Sequence, residues 1–260
     1  MFENQILNYV VMIILGLIIG SFLNVIILRF DELKTIWLER SHCTKCQKTL
    51  AWYDLVPFFS FVFLSGKCRY CKANISLQYP LVEAFTALLF ALLFWKFGLS
   101  WVLLPWLIIS SLLIVMFVYD ILHLLISDGL IVTALIVWII WLIIGQFIFN
   151  FDLSILNYLY GGLALGGLLG LLVVISKEKW MGAGDIGLGF LLGALIGWPN
   201  VLVGTFAAFL LGSLVGVFLI LIKKKGPKAQ IAFAPFLILG MFTALFWGEK
   251  IIYWYTNLIW

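Results

Sequence analysis

Long apolar runs separated by short polar stretches dominate the 260-residue chain. Residues 130–149, LIVTALIVWIIWLIIGQFIF, are typical, and they lack the apolar–polar alternation of a barrel strand. A transmembrane helix needs about 20 apolar residues. Eight stretches meet or approach that length: 6–28, 79–97, 100–119, 128–149, 154–176, 184–197, 200–222 and 231–256, the sixth being short. The pattern predicts an all-α polytopic membrane protein of about eight transmembrane helices. The first run, Ile6 to Leu28, is too long for a signal-peptide core and no small-residue cleavage site follows it. A retained span is therefore expected there.

Composition agrees. Hydrophobic residues make up 65% of the chain and charged ones 11%, with a mean hydropathy of +1.18. An average soluble domain carries roughly 25% charged residues. This excludes an ordinary cytosolic enzyme, a nucleic-acid-binding domain and a disordered chain, and it makes the lipid bilayer the expected surroundings. The net charge of +4 implies no nucleic-acid partner, because twelve of the 28 charges fall in one segment, residues 29–78.

The distribution of basic residues predicts orientation. With the N-terminus outside, the inner loops are 29–78, 120–127, 177–183 and 223–230. They hold eight, zero, two and four of the 16 Lys and Arg, leaving only Lys96 and Lys250 elsewhere. Both termini are thus expected outside, with the 29–78 loop in the cytoplasm. Three parts follow: a first span (1–28), a cytoplasmic loop domain (29–78) and a helical bundle (79–260). Glycine is concentrated between 161 and 216, where small residues let helix backbones approach closely.

All four cysteines lie in the large loop. Cys43 and Cys46 form one C-x-x-C, and Cys68 and Cys71 form another. Each pair can bring two thiolates to one tetrahedral ion, and two pairs complete a shell of four sulfurs. Lys45, Lys48, Lys67, Arg69 and Lys72 would offset its negative charge. Disulfides are disfavoured in a reducing cytoplasm. A structural zinc site of Cys43, Cys46, Cys68 and Cys71 is expected, with His42 a surface neighbour.

Acids beside membrane spans are costly and usually functional. Asp120 ends the third span in IVMFVYD, and Asp185 opens the sixth in MGAGD. The predicted topology places both at the cytoplasmic edge. Two carboxylates within hydrogen-bonding reach do not both ionise readily, so one keeps a proton. One then acts as general base towards a water and the other as general acid towards a scissile carbonyl, the chemistry of an aspartic peptidase. Gly182 and Gly184 would let a substrate backbone approach. Asp185 would also suit an N-cap, whereas Asp120 stands at a helix C-terminus, where the macrodipole disfavours a carboxylate. Asp128, eight residues after Asp120, is a third acid, and periodicity does not separate the two as partner of Asp185. Glu83 near the start of the second span is either a favourable first-turn acid or a polar group facing the site.

Together these residues resemble the type IV prepilin peptidase family, the prepilin leader peptidase/N-methyltransferases. The resemblance covers nearly the whole chain. It is carried by GSFLNVIILR (Gly20 to Arg29), by the cysteine loop from Arg40 to Glu83 with WYDLVP and YPLVE, by Tyr119-Asp120, by Gly182-Ala183-Gly184-Asp185 and by Phe233-Ala234-Pro235-Phe236. Tyr119-Asp120 and the last glycine motif match the family's YD and GxGD, which implies Asp120 and Asp185 as catalytic aspartates. Asp128 matches a second acid that usually follows a proline, where this chain has Ser127. Thr44 and Glu39 also replace prolines common in the family. The resemblance further implies cleavage of the basic leader of type IV prepilins or pseudopilins at the cytoplasmic face of the bacterial inner membrane. It also implies, for many members, methylation of the new N-terminus by S-adenosylmethionine. No glycine-rich nucleotide fingerprint follows a strand here, so methylation rests on the resemblance alone. Paired acids and glycine-broken spans also suit a proton- or ion-coupled transporter with a zinc-binding cytoplasmic loop. Depth separates the two, since a transporter's acids cluster near the midplane.

Overall fold

A computed structural model describes residues 2–30, 41–147, 154–222 and 232–259. Glu39, Arg40 and the basic segment 223–230 lie outside the described residues. The chain divides into two compact units, Met1–Val115 and Met116–Trp260. Among the described residues, seven helices are long and apolar enough to cross a membrane, joined by one shorter apolar helix. The expected eight spans are thus seven full-length helices and a short one.

The first unit holds α1 (Phe2–Leu28), a 3-10 turn (Trp52–Leu55), α2 (Phe59–Phe63), α3 (Gln78–Phe97) and the start of α4 (Leu103–His123). α1 packs lengthwise on α3. The contact is close because Gly16 and Gly20 offer no side chain: a Cβ on Gly16 would collide with the backbone of Ala87, and one on Gly20 with the Cα of Glu83. Asn24, one turn further along α1, is buried. Its Nδ2 donates to the carbonyl of Tyr79 at 3.1 Å, tying the end of α1 to the start of α3. The GSFLN stretch is therefore a helix-packing face.

The second unit contains the end of α4, then α5 (Asp128–Phe147), α6 (Ile155–Ser176), α7 (Gly184–Ile196), α8 (Asn200–Leu221) and α9 (Ala234–Ile259). The short helix α7 is its centre, packed against α5, α6 and α9. Thirteen residues rise only about 20 Å, short of a bilayer core of about 30 Å. α7 is nonetheless apolar on all sides, as expected of a helix sheathed by others: Leu188, Leu191 and Leu192 are wholly buried. Gly161 of α6 and Gly193 of α7 meet backbone to backbone, as do Gly204 of α8 and Gly240 of α9. Trp138 of α5 donates its indole N–H to the Ala194 carbonyl at 3.1 Å, fixing α5 on α7.

Candidate active site and metal centre

α4 stops where Leu124 turns left-handed at φ +56°, its N–H bonded to the Asp120 carbonyl at 2.8 Å. Asp120 thus lies in the last turn of α4 and is 5% exposed. Its Oδ2 accepts the backbone N–H of Ala234, the first residue of α9, at 3.2 Å. The positive end of the α9 dipole offsets the unfavourable C-terminal position in α4. Pro235 follows inside the first turn of α9, where its missing N–H costs nothing. The Phe233-Ala234-Pro235-Phe236 motif therefore builds a helix start that meets Asp120. Nothing in the sequence pairs these residues, which stand 114 positions apart.

Asp185 occupies the first turn of α7 and is 7% exposed. Its Oδ2 accepts the Gly182 N–H at 3.1 Å, while its own N–H donates to the Gly182 carbonyl. A Cβ on Gly182 would meet nothing, so the space beside this turn is open. On Gly184 a Cβ would press on Ile126. Asp120 and Asp185 lie within electrostatic reach of one another. Two helix N-termini, of α9 and α7, thus meet two buried carboxylates in one unit.

The other candidates sort by burial. Tyr119 is buried, with its ring 4.4 Å from that of His123. His123 was not singled out in the sequence; its spacing of four from Tyr119 on a helix was the available signal. Asp128 is exposed in the first turn of α5. Glu83 belongs to the other unit. It is buried in α3, and its Oε2 accepts the Phe58 N–H at 2.7 Å, with Ser21 also bonded to it.

The cysteine loop is built from two copies of one turn. Cys43 donates its N–H to the Lys48 carbonyl and accepts from Gln47; Cys68 donates to Ala73 and accepts from Lys72. Gln47 and Lys72 take the same left-handed conformation, φ +57° and +60°. Each turn is closed by an antiparallel bridge, His42 with Thr49 and Lys67 with Asn74. The four sulfurs all lie within 4.8 Å of one another, and those of Cys43 and Cys71 are 3.8 Å apart. Tetrahedral Zn–S bonds of about 2.3 Å require sulfur spacings of about 3.8 Å, so the donor set fits a metal ion. The amides of Cys46 and Lys45 hold the Cys43 thiol down to about 6. The Ala73 amide lowers that of Cys71, but desolvation and the neighbouring sulfurs outweigh it and push it up to about 11. Arg69 bonds Asp54 at 2.6 Å beneath this turn.

The family models described as Bacterial Peptidase A24 N-terminal domain and Type IV leader peptidase family match residues 14–97 and 107–217. A Pseudomonas aeruginosa protein named prepilin leader peptidase/N-methyltransferase is 30% identical over 262 residues, covering 92% of this chain and 90% of the relative. A Stutzerimonas stutzeri protein of the same name is 32% identical, with coverages of 92% and 90%. A third, from Bacillus subtilis, is 34% identical over 251 residues, covering 95% and 98%.

The chain belongs to the type IV leader peptidase family. No solved structure matches it. As a member of the type IV leader peptidase family it is a peptidase, and its seven long apolar helices mark a multi-pass membrane protein.

Proposed function

We propose that the chain is a membrane aspartic endopeptidase that removes the leader peptide of type IV prepilins or pseudopilins at the cytoplasmic face of the inner membrane. The observation that supports this reading is that two buried carboxylates, Asp120 beside the start of α9 and Asp185 in the first turn of α7, lie within electrostatic reach of one another. One carboxylate takes a proton from a water as its oxygen attacks the scissile carbonyl. The other, protonated, gives its proton to the carbonyl oxygen, forming a gem-diol. Collapse of the gem-diol breaks the C–N bond: the first carboxyl returns its proton to the leaving amine, and the second, now a carboxylate, takes the proton of one gem-diol hydroxyl, which restores the starting pair. The open space at Gly182 admits the substrate backbone, Gly184 keeps the turn narrow, and Tyr119 packs against the same end of α4.

Counted over eight crossings, fourteen of the 16 basic residues fall in loops of one side, which supports termini outside and the cysteine loop and site in the cytoplasm. The working division is a first span (1–28), a loop domain (29–78) and a peptidase bundle (79–260). The metal of the loop is a structural zinc on Cys43, Cys46, Cys68 and Cys71, cross-linking the two turns. The names of the relatives add N-methyltransferase activity, and methylation of the new N-terminus by S-adenosylmethionine is the corresponding second step. The described residues contain no β-strand and no glycine-rich strand-to-helix turn of the kind that cradles such a nucleotide.

The test is cleavage of a pilin-like substrate by membranes carrying wild type, Asp120→Asn or Asp185→Asn, with mass spectrometry of the product. Loss of cleavage in both variants, at unchanged membrane levels, is expected. Full cleavage by either one overturns the assignment. A gain of one methyl on the wild-type product would add the second activity.

A further inference from the structure

The loop residues 52–63, WYDLVPFFSFVF, present an unusual surface. Eight large apolar side chains among these twelve residues are exposed: Trp52, Tyr53, Leu55, Val56, Phe58, Phe59, Val62 and Phe63. Trp52 is 80% exposed and Phe63 84%. None of α2 is buried. The stretch contains one charge, Asp54, and that charge is met by Arg69 at 2.6 Å and by the Tyr70 hydroxyl at 3.3 Å. A ridge of this kind on a loop facing water would be an aggregation liability.

The depth of the ridge is set by a bond within the same unit. Phe58, which leads into α2, donates its N–H to Glu83 at 2.7 Å. Glu83 is the sixth residue of α3, and α3 runs Gln78–Phe97. At 1.5 Å per residue, Glu83 lies about 7.5 Å from the start of a helix about 30 Å long, the thickness of the hydrocarbon core. A side chain on a helix leans back towards its N-terminus. The Phe58 amide is therefore tied to the first quarter of α3, towards the end at which that helix begins. The basic side chains of the loop complement an anionic lipid surface: Lys48 lies 4.0 Å over the Tyr70 ring and Arg69 4.9 Å over that of Tyr53. Trp and Tyr with a basic neighbour and Phe on one short segment are the side chains that settle in this zone.

We propose that residues 52–63 form a membrane-facing ridge whose aromatic side chains enter the interface of the bilayer that α1 and α3 cross, with Glu83 as the positioning residue that holds them at that depth. The metal-binding turns of the loop are then carried on the lipid surface, and the partner of the exposed face is lipid. This reading does not depend on Asp120 and Asp185.

The test places a fluorescent amino acid at Phe63, or at exposed Lys45 for comparison, in the full-length protein. The protein sits in nanodiscs of phosphatidylcholine with a minority of phosphatidylglycerol. Quenching by brominated acyl chains and by aqueous iodide is compared. The expected result is strong bromolipid quenching and little iodide quenching at 63, and the reverse at 45. Iodide quenching at 63 equal to that at 45 overturns the proposal, as does shielding of 63 from both quenchers, which would mean that protein covers the ridge. Glu83→Ala should lower bromolipid quenching at 63 at least two-fold, while Glu83→Gln, which keeps an acceptor for the Phe58 N–H, should hold it near wild type. Metal content of each variant confirms that the loop is folded. Undiminished quenching in a metal-loaded Glu83→Ala protein removes Glu83 from the account.

Discussion

The Asp120 carboxylate accepts the backbone N–H of Ala234, joining the last turn of α4 to the first residue of α9. Asp120 therefore has a structural duty as well as the proposed catalytic one, and two substitutions separate them. Asn keeps an oxygen for the Ala234 N–H but cannot act as acid or base. Asp120→Asn should lower cleavage of a pilin-like substrate by roughly 100-fold or more with little change in thermal unfolding in detergent. Asp120→Ala should lose activity equally and also about 0.5–2 kcal/mol of stability, the usual cost of an N-terminal cap. A cleaving Asn variant would leave Asp120 with the structural duty alone.

Asp128 provides the contrast. It is exposed in the first turn of α5, where an acid interacts with the helix dipole. Asp128→Asn should forfeit about 0.3–1 kcal/mol at most and keep cleavage within a few-fold of wild type. Asp185→Asn should abolish it. The two are compared side by side at equal enzyme, by gel shift of the substrate. Comparable loss in both would require Asp128 to take part in the reaction, against its exposure.

The long spans were legible because an unbroken apolar run of 20 residues has few other physical solutions. The short α7 blurred the count, since thirteen residues fall below the length of a full span, and its burial among α5, α6 and α9 left no polar face to mark it. The cysteine cluster was legible because two C-x-x-C pairs leave little freedom in ligand geometry. The repeated left-handed residues Gln47 and Lys72 were not, because neither residue type signals that conformation. Burial divides Asp120 from Asp128, and periodicity did not, because both acids sit at helix ends. The partners of the buried acids were hidden for a general reason. Asp120 and Glu83 bond to backbone amides, of Ala234 and Phe58, and a backbone amide leaves no mark in the identity of a residue.

Helix α7 carries Asp185, so its packing should matter to the site. Gly193 of α7 meets the backbone of Gly161 of α6, and the nearest atoms to a methyl group at Gly193 are all backbone, with no flexible side chain to yield. Gly193→Ala should cost about 1–3 kcal/mol by overpacking and reduce cleavage by displacing α7. Gly167→Ala, on the same α6 but with open space around its Cβ, should leave both unchanged. Thermal unfolding and substrate turnover of the two variants check the pair. Equal effects would mean that glycine content rather than the α6–α7 contact is what counts.

The cysteine cluster should be readable by pH. In metal-stripped protein, Cys43 at about 6 is largely thiolate at neutral pH, because the Cys46 and Lys45 amides stabilise its charge. Cys71 at about 11 is still a thiol there. The thiolate is the reactive form. Mild alkylation at pH 7.5 followed by peptide mass spectrometry should therefore label Cys43 ahead of Cys71, although Cys71 is the more exposed of the two. The order should weaken as the pH falls through 6 and Cys43 takes up its proton. Zinc requires all four sulfurs deprotonated, so the metal-loaded protein should resist labelling at neutral pH and lose protection on acidification as protons compete for the ligands. Labelling of Cys71 before Cys43 in the stripped protein would mean that the loop does not keep its two turns without metal. Rapid labelling of all four in protein carrying one equivalent of zinc would exclude a site built from the four cysteines.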